Sequence, residues 1–290
     1  MKKIRIFSIV LFVFSLGLYV FFHVKHSRID DTIAPRISMN ENKIEISVED
    51  PEEKILEGVS AADSNDGDVS DTLIVESMGQ FLSPGRRNVT IAAFDSSSNV
   101  AKLPREVVYT DYTAPKFDMT APLRFPINTE NILENVTATD CLDGDITEQI
   151  KISTATYVDV TVADDYKTTL TVTNSAGDTE KLPCTVTIYN ASDNSGSPEF
   201  ELSKYLVYVK AGKTVDPWSY VTGLYMRGVH YEKAEDGVLY SPDRTLFVTR
   251  DEVKIKGEVD FNTPGAYEYT YKITDSNSRT GKVRLIVVVR

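Results

Sequence analysis

The chain has 290 residues, enough for more than one independent core, and a formal net charge of −12 from 31 Lys and Arg against 43 Asp and Glu. That balance argues against a nucleic-acid partner, which calls for Lys and Arg gathered on one face, and suits an acidic surface open to divalent cations. With three His and two Cys, a His-based catalytic centre has little raw material.

The first element spans Met1 to Val24, where Lys2, Lys3 and Arg5 precede an apolar run from Ile6 to Phe22 relieved only by Ser8, Ser15 and Gly17. A helix of roughly 20 apolar residues crosses a bilayer. The rival reading is a cleaved signal peptide. Its only fair cleavage sequence is Ser15-Leu16-Gly17, and a cut there would leave Leu18-Tyr19-Val20-Phe21-Phe22 at the new terminus. An uncleaved anchor is therefore expected, with residues 1–29 forming a cytoplasmic tip, a transmembrane helix and a juxtamembrane segment. No Cys lies near the run to take a lipid. Lys25 and Arg28 follow it, so the charge bias is weak, but it points to a cytoplasmic N-terminus with everything after the helix outside.

From Asp30 onward the apolar period is two. Ile44, Ile46 and Val48 alternate with charged residues, followed by Val89, Ile91 and Ala93, then Val158, Val160 and Val162, then Cys184, Val186 and Ile188. Tyr267, Tyr269, Tyr271 and Ile273 repeat the pattern, and Val283, Leu285, Val287 and Val289 close it. Such alternation between Asn, Asp, Gly and Pro turns predicts half-buried antiparallel strands, and several short strands per segment predict β-sandwiches.

Two of the segments repeat. Asp63-Ser64-Asn65-Asp66-Gly67-Asp68 returns as Asp140-Cys141-Leu142-Asp143-Gly144-Asp145, and Lys102-Leu103-Pro104 returns as Lys181-Leu182-Pro183. The openings match as well, Ile33-Ala34-Pro35 with Thr113-Ala114-Pro115, and a third follows at Ser197-Pro198 after the polar stretch Asn190 to Gly196. That polar stretch is expected to be the loosest joint outside the membrane. The predicted domains are 30–111, 112–192 and 193–290. The third lacks the Asp-rich turn and carries a long insert, about 223–251. It keeps Pro264-Gly265-Ala266-Tyr267 through Asp275-Ser276-Asn277, which matches Pro84-Gly85 through Asp95 to Asn99.

This order of signals resembles the bacterial immunoglobulin-like repeats strung along surface proteins and appended to some crystal toxins; hyalin-type repeats are similar. The resemblance covers nearly everything after Asp30. It is weaker in the second segment, where Ala163-Asp164-Asp165-Tyr166 replaces the Pro-Gly turn. It implies an all-β chain of three tandem Ig-like β-sandwiches behind one N-terminal transmembrane helix. It says little about ligand, which belongs to sites rather than folds.

Ig-like strand order would bring the Asp-rich turn and the loop between the last two strands to the pole where the chain enters each domain. Asp63, Asp66 and Asp68 would then face Asp30 and Asp31, and Asp140, Asp143 and Asp145 would face Asp111. Two readings stand. The six could hold calcium, a cation that takes six to eight oxygens from flexible loops, or they could accept backbone N–H groups in polar turns whose Gly supplies positive φ. Neither loop has the spacing of a calcium hand, which favours the turns. The same geometry implies a Cys141–Cys184 disulfide, with two unpaired thiols as the rival.

His230, with Glu235 and Asp236 nearby in sequence, is read as a lone surface-loop histidine, because no G-x-S-x-G, H-E-x-x-H or Gly-rich phosphate loop accompanies it. No catalytic residue is expected. Trp218, Tyr220, Tyr225, Tyr231 and Tyr240 lie in or beside the insert, where aromatics with polar tips either bind sugar or protein or pack the insert onto its sandwich.

The expected protein is a single-pass bacterial membrane protein with extracellular Ig-like domains, acting as a spacer, adhesion or ligand-binding module without catalysis. Its partners would be the membrane and an extracellular protein or carbohydrate, and calcium its only candidate cofactor. The rival expectation is a structural subunit of a cell-envelope assembly. A glycan- or peptide-acting enzyme in the third domain comes last.

Overall fold

The computed structural model describes residues 11–22, 31–153 and 155–290. Residues 11–22 are helical. No helix among the described residues is long and apolar enough to cross a membrane. The remainder of the expected anchor, residues 1–10 and 23–29, lies outside the described residues, as do Asp30, His23 and His26.

After residue 30 the chain is built of paired sheets, each pair joining one antiparallel sheet to one that carries a single parallel pairing. The first pair uses β1 (Arg36–Met39), β2 (Lys43–Ile46), β3 (Val59–Asp63), β4 (Gly67–Asp68), β5 (Ile74–Ser83), β6 (Arg86–Phe94) and β7 (Val100–Tyr109). Their orders are β1-β3-β4 and β2-β7-β6-β5. The chain changes sheet between β1 and β2, so β2 runs parallel to β7. Inward alternation along β6 and β7 buries Val89, Ile91 and Val107 with Ile46 and with Ile55 from the short helix Glu52–Leu56.

The second pair repeats the plan with β8 (Lys116–Met119), β9 (Arg124–Pro126), β10 (Val136–Asp140), β11 (Gly144–Asp145), β12 (Lys151–Ile152), β13 (Asp164–Thr173) and β14 (Thr179–Tyr189). The orders are β8-β10-β11 and β9-β14-β13-β12. Register repeats too: Arg36 faces Ala62, and Lys116 faces Thr139. Val158, Val160 and Val162, expected to form a strand, do not. Asp159 Oδ1 accepts the Thr161 N–H and hydroxyl, turning the backbone there, and Val158 and Val160 pack from a loop onto the core.

The third pair contains β15 (Glu199–Leu202), β16 (Leu206–Val209), β17 (Val221–Met226), β18 (Val229–Lys233), β19 (Leu239–Tyr240), β20 (Phe247–Val248), β21 (Lys254–Lys256), β22 (Gly265–Thr274) and β23 (Thr280–Val289). One sheet is β16-β23-β22-β21, and the other is β15-β17-β18-β19-β20. The insert is thus no appendage. It widens a sheet to five strands and sends Tyr231, Leu239 and Val248 into the core.

Contacts divide the chain into a compact unit ending at Tyr112 and a second, Thr113–Arg290. The expected loose joint at 190–196 therefore lies inside one unit. The reason is β23, whose run Leu285-Ile286-Val287-Val288-Val289 is buried on both faces. Val283, Leu285, Val287 and Val289 fill the third core, while Ile286 and Val288, with Leu206, join the core of the second sandwich. Each such side chain contributes about 1.5–3 kcal/mol when fully buried. Polar contacts ring the patch. Glu268 accepts the Thr185 N–H at 2.7 Å and its hydroxyl at 2.8 Å, the Phe117 N–H donates to Tyr208 Oη at 2.9 Å, and Arg290 reaches Glu180 at 2.8 Å. Asp165 takes both Lys282 and Arg284.

Burial pushes the Asp165 carboxyl up, but hydrogen bonds from Lys282, Thr187 and Arg284, with the Arg284 charge, outweigh it and hold it down at about 2. The folded value lies below the unfolded value of about 3.9, so this stabilisation is complete above roughly pH 4 and is lost as pH falls toward 2. Asp165→Asn should lower the melting temperature of the 113–290 unit at pH 7, and the difference from the parent should shrink between pH 4 and pH 2. Calorimetric scans across that range check this.

Candidate functional site

The Asp-rich turns are built identically in the first two sandwiches. Asp63 Oδ1 accepts the N–H groups of Asn65 (2.7 Å) and Asp66 (3.1 Å), and Gly67 follows at φ +77°. Asp140 Oδ1 accepts those of Leu142 (2.8 Å) and Asp143 (3.1 Å), and Gly144 follows at +72°. Asp66 ties this turn to the β6–β7 loop through the Ser96 N–H and hydroxyl, and Asp143 does the same through Ser175. Asp68 and Asp145 accept from Ser70 and Thr147. The N–H groups of Asn65, then Asp66, hold the Asp63 carboxyl below the usual range.

The six aspartates expected as calcium ligands thus have separate turn and loop partners, and they do not gather into one site per domain. Among the described residues, the acidic group whose oxygens converge within 4.8 Å is Asp31, Asp63 and Asp95. Only Asp63 belongs to the expected six. Asp31 faces it as the strand order implied, and Asp95 comes from the β6–β7 loop. Asp111, aligned with Asp31 by the Pro35 and Pro115 openings, instead accepts from the Ser47 hydroxyl (2.6 Å) and Val48 N–H (2.9 Å).

The expected disulfide is absent. Cys141 and Cys184 are both free. Cys141 sits in the Asp-rich turn, its thiol donating to the Thr113 carbonyl at 3.1 Å. Cys184 does not lie at that pole, because β14 begins at Thr179 and five residues of strand place Cys184 roughly 16 Å along it, opposite Thr168. A bridge needs Cα atoms within about 7 Å. Burial, and then the nearby Glu268 charge, push the Cys184 thiol up to about 12. Alkylation of the native chain at pH 8 should label Cys141 and spare Cys184 until denaturant is added, as peptide mass mapping would report.

The expected aromatic set divides between core and surface, by strand parity for Tyr225, Tyr231 and Tyr240, while Trp218 and Tyr220 come from the short helix Pro217–Tyr220. Trp218 is 5% and Tyr231 1% exposed, so both are core residues. Trp218 Nε1 donates to the Gly237 carbonyl at 3.0 Å, and Lys233 caps its ring at 5.3 Å. Tyr220 is half-buried against the same core. On the outer face, Tyr225 stacks on its cross-strand partner His230 at 4.2 Å and 15°, and Tyr240 pairs with Phe247 at 6.3 Å with Arg244 over its ring. Tyr225 and Phe247 are 46% and 60% exposed.

His230 lies on β18 rather than in a loop, and it pairs with Glu201 at 2.9 Å. Gly223 permits this, since a Cβ there would lie 2.2 Å from Glu201 Oε2. Asp236 accepts the Tyr240 hydroxyl and the Val238 N–H. The sequence carried one signal for the Tyr240–Phe247 pair: two short apolar steps on either side of the Ser-Pro-Asp-Arg turn.

Residues 228–289 match the family described as bacterial surface protein, Ig-like domain. An Ig-like domain of the surface-protein type therefore ends the chain, and the match takes in β18 through β23 with His230, Tyr240 and Phe247. Among curated proteins none matches. Similar solved structures include the CBM51-2 and INT domains of Clostridium perfringens ZmpB in complex with GlcNAc, 14% identical over 51% of this chain and 26% of that one, TM-score 0.22. Mouse cadherin-23 EC22–24 is 13% identical over 88% and 98%, TM-score 0.20. A Bacteroides thetaiotaomicron lipoprotein is 15% identical over 59% and 98%, TM-score 0.22. The chain spans about a quarter of the clostridial structure.

Proposed function

We propose that the chain is a bacterial surface protein, held to the membrane by its N-terminal apolar run, that binds an extracellular carbohydrate or protein through the outer face of its last sandwich and does not turn it over. The observation that carries this reading is the five-stranded sheet of that sandwich. Its outer face presents Tyr225 on His230 and Tyr240 beside Phe247, flanked by Glu201, Glu232 and Arg244. Exposed aromatics with polar edges suit stacking on sugar faces or contact with a protein patch. A shallow cleft beside Tyr240, lined also by Lys233, Ser241 and Arg244, adds donors at its rim. The match of residues 228–289 to a surface-protein family supports the location.

Binding of the full chain to a glycan array and to surface extracts tests the idea. Tyr225→Ala with Phe247→Ala should weaken binding at least about tenfold, the loss expected of central aromatic anchors, while leaving the melting temperature within a degree or two. Affinity unchanged in the double variant would overturn it. If the partner co-purifies undiminished when the third sandwich is deleted, the assembly-subunit reading replaces it. Membrane attachment is checked by alkaline carbonate extraction of cell membranes, in which an anchored chain stays with the lipid.

A further inference from the structure

The three sandwiches place a carboxylate loop at the same pole and neutralise it differently. In the third, Asp275 accepts the Asn277 and Arg279 N–H groups and is paired by the Arg279 guanidinium at 3.0 Å. In the second, the position corresponding to Asp95 is Asn174, whose amide donates to Asp140 Oδ2 at 3.2 Å. In the first, both corresponding positions are acidic, and Asp31 adds a third carboxylate within 4.8 Å.

Donors in that group are nearly spent on one oxygen of each residue. Asp63 Oδ1 holds its own turn, Asp95 Oδ1 accepts from Ser97 and Asn99, and Asp31 Oδ1 accepts the Ile33 N–H. The Asn99 amide reaches Asp95 Oδ2 at 2.7 Å. Asp31 Oδ2 and Asp63 Oδ2 are buried and accept nothing, although Asp63 is only 8% exposed. None of the three forms an ion pair with a described basic residue. Two buried carboxylates and a half-buried third at this spacing, with two buried oxygens lacking any donor, call for a cation.

We propose that Asp31, Asp63 and Asp95 form a calcium site that clamps the chain entering the first sandwich to its β3–β4 and β6–β7 loops. An all-oxygen set drawn from three separate loops suits the larger, more tolerant ion over magnesium, which demands near-ideal octahedral geometry. This inference is independent of the ligand-binding reading of the third sandwich.

The full chain, stripped with EDTA and titrated with calcium or magnesium chloride, is followed by calorimetry and thermal unfolding. Calcium should bind with a Kd of about 10⁻⁴ to 10⁻³ M, as in other extracellular modules, and raise the transition of the first sandwich. Magnesium should bind about tenfold or more weakly. Asp95→Asn, which supplies the amide found at Asn174, should abolish binding without lowering the melting temperature in EDTA. Asp31→Asn, which leaves both loop turns intact, should weaken binding at least about tenfold, and Asp143→Asn in the second sandwich should not alter it. The proposal is overturned by no binding heat at about 10 mM calcium, by binding that survives both Asp31→Asn and Asp95→Asn, by binding lost in Asp143→Asn, or by equal affinity for magnesium.

Discussion

Strand β23 is covered on both faces, and the arrangement of residues 113–290 follows from that. Its inner row closes the third sandwich, while Ile286 and Val288 on the outer row complete the core of the second. Side chains alternate strictly along a strand, so a slip of one residue would exchange the two rows and place Arg284 against a core. The pairing with β22 over ten residues and the parallel pairing with β16 hold that register. Around the apolar centre, Asp165, Arg284 and Glu268 leave water together with their partners, which keeps the cost of burying charge low. Docking through the β16-β23-β22-β21 sheet leaves the opposite, five-stranded sheet with its outer face in solvent, where Tyr225 and Phe247 are exposed.

The poles follow a second economy of design. One backbone device, an aspartate folding back on the N–H groups of its own turn, recurs at Asp63, Asp140, Asp95 and Asp275. What varies is the residue facing the second carboxylate oxygen: an amide from Asn174, a guanidinium from Arg279, or further carboxylates from Asp31 and Asp95. The scaffold is conserved within the molecule, and its electrostatics are set by single side chains.

Much of this was legible from period and repeat. Alternation located β2, β6, β14, β22 and β23, and the doubled Asp-x-x-Asp-Gly-Asp turn marked two copies of one design with matching register. The aspartate turns behave as their Gly and Asx chemistry requires. Two readings failed where alternation or offset was taken as position. Val158 to Val162 alternate yet form a loop, because Asp159 folds the backbone locally. Cys184 aligns with a strand start in sequence but lies five residues inside β14. For Trp218 and Tyr231 the packing alternative holds: Tyr231 faces inward by its parity on β18, and Trp218 is buried from the short helix Pro217–Tyr220.

By itself the sequence determined the class of fold and the internal repeat, since both rest on local physics: side-chain period, turn residues and proline at strand openings. Only the tertiary structure decided which faces were covered. A polar stretch at 190–196 reads as a hinge until Ile286 and Val288 are seen in the neighbouring core, and an unbroken Val-rich run does not say what lies on its second face. Likewise, three aspartates separated by 32 residues at each step, Asp31, Asp63 and Asp95, converge only once two sheets bring their loops to one pole. Contacts between distant segments are long-range facts, and no local pattern encodes them.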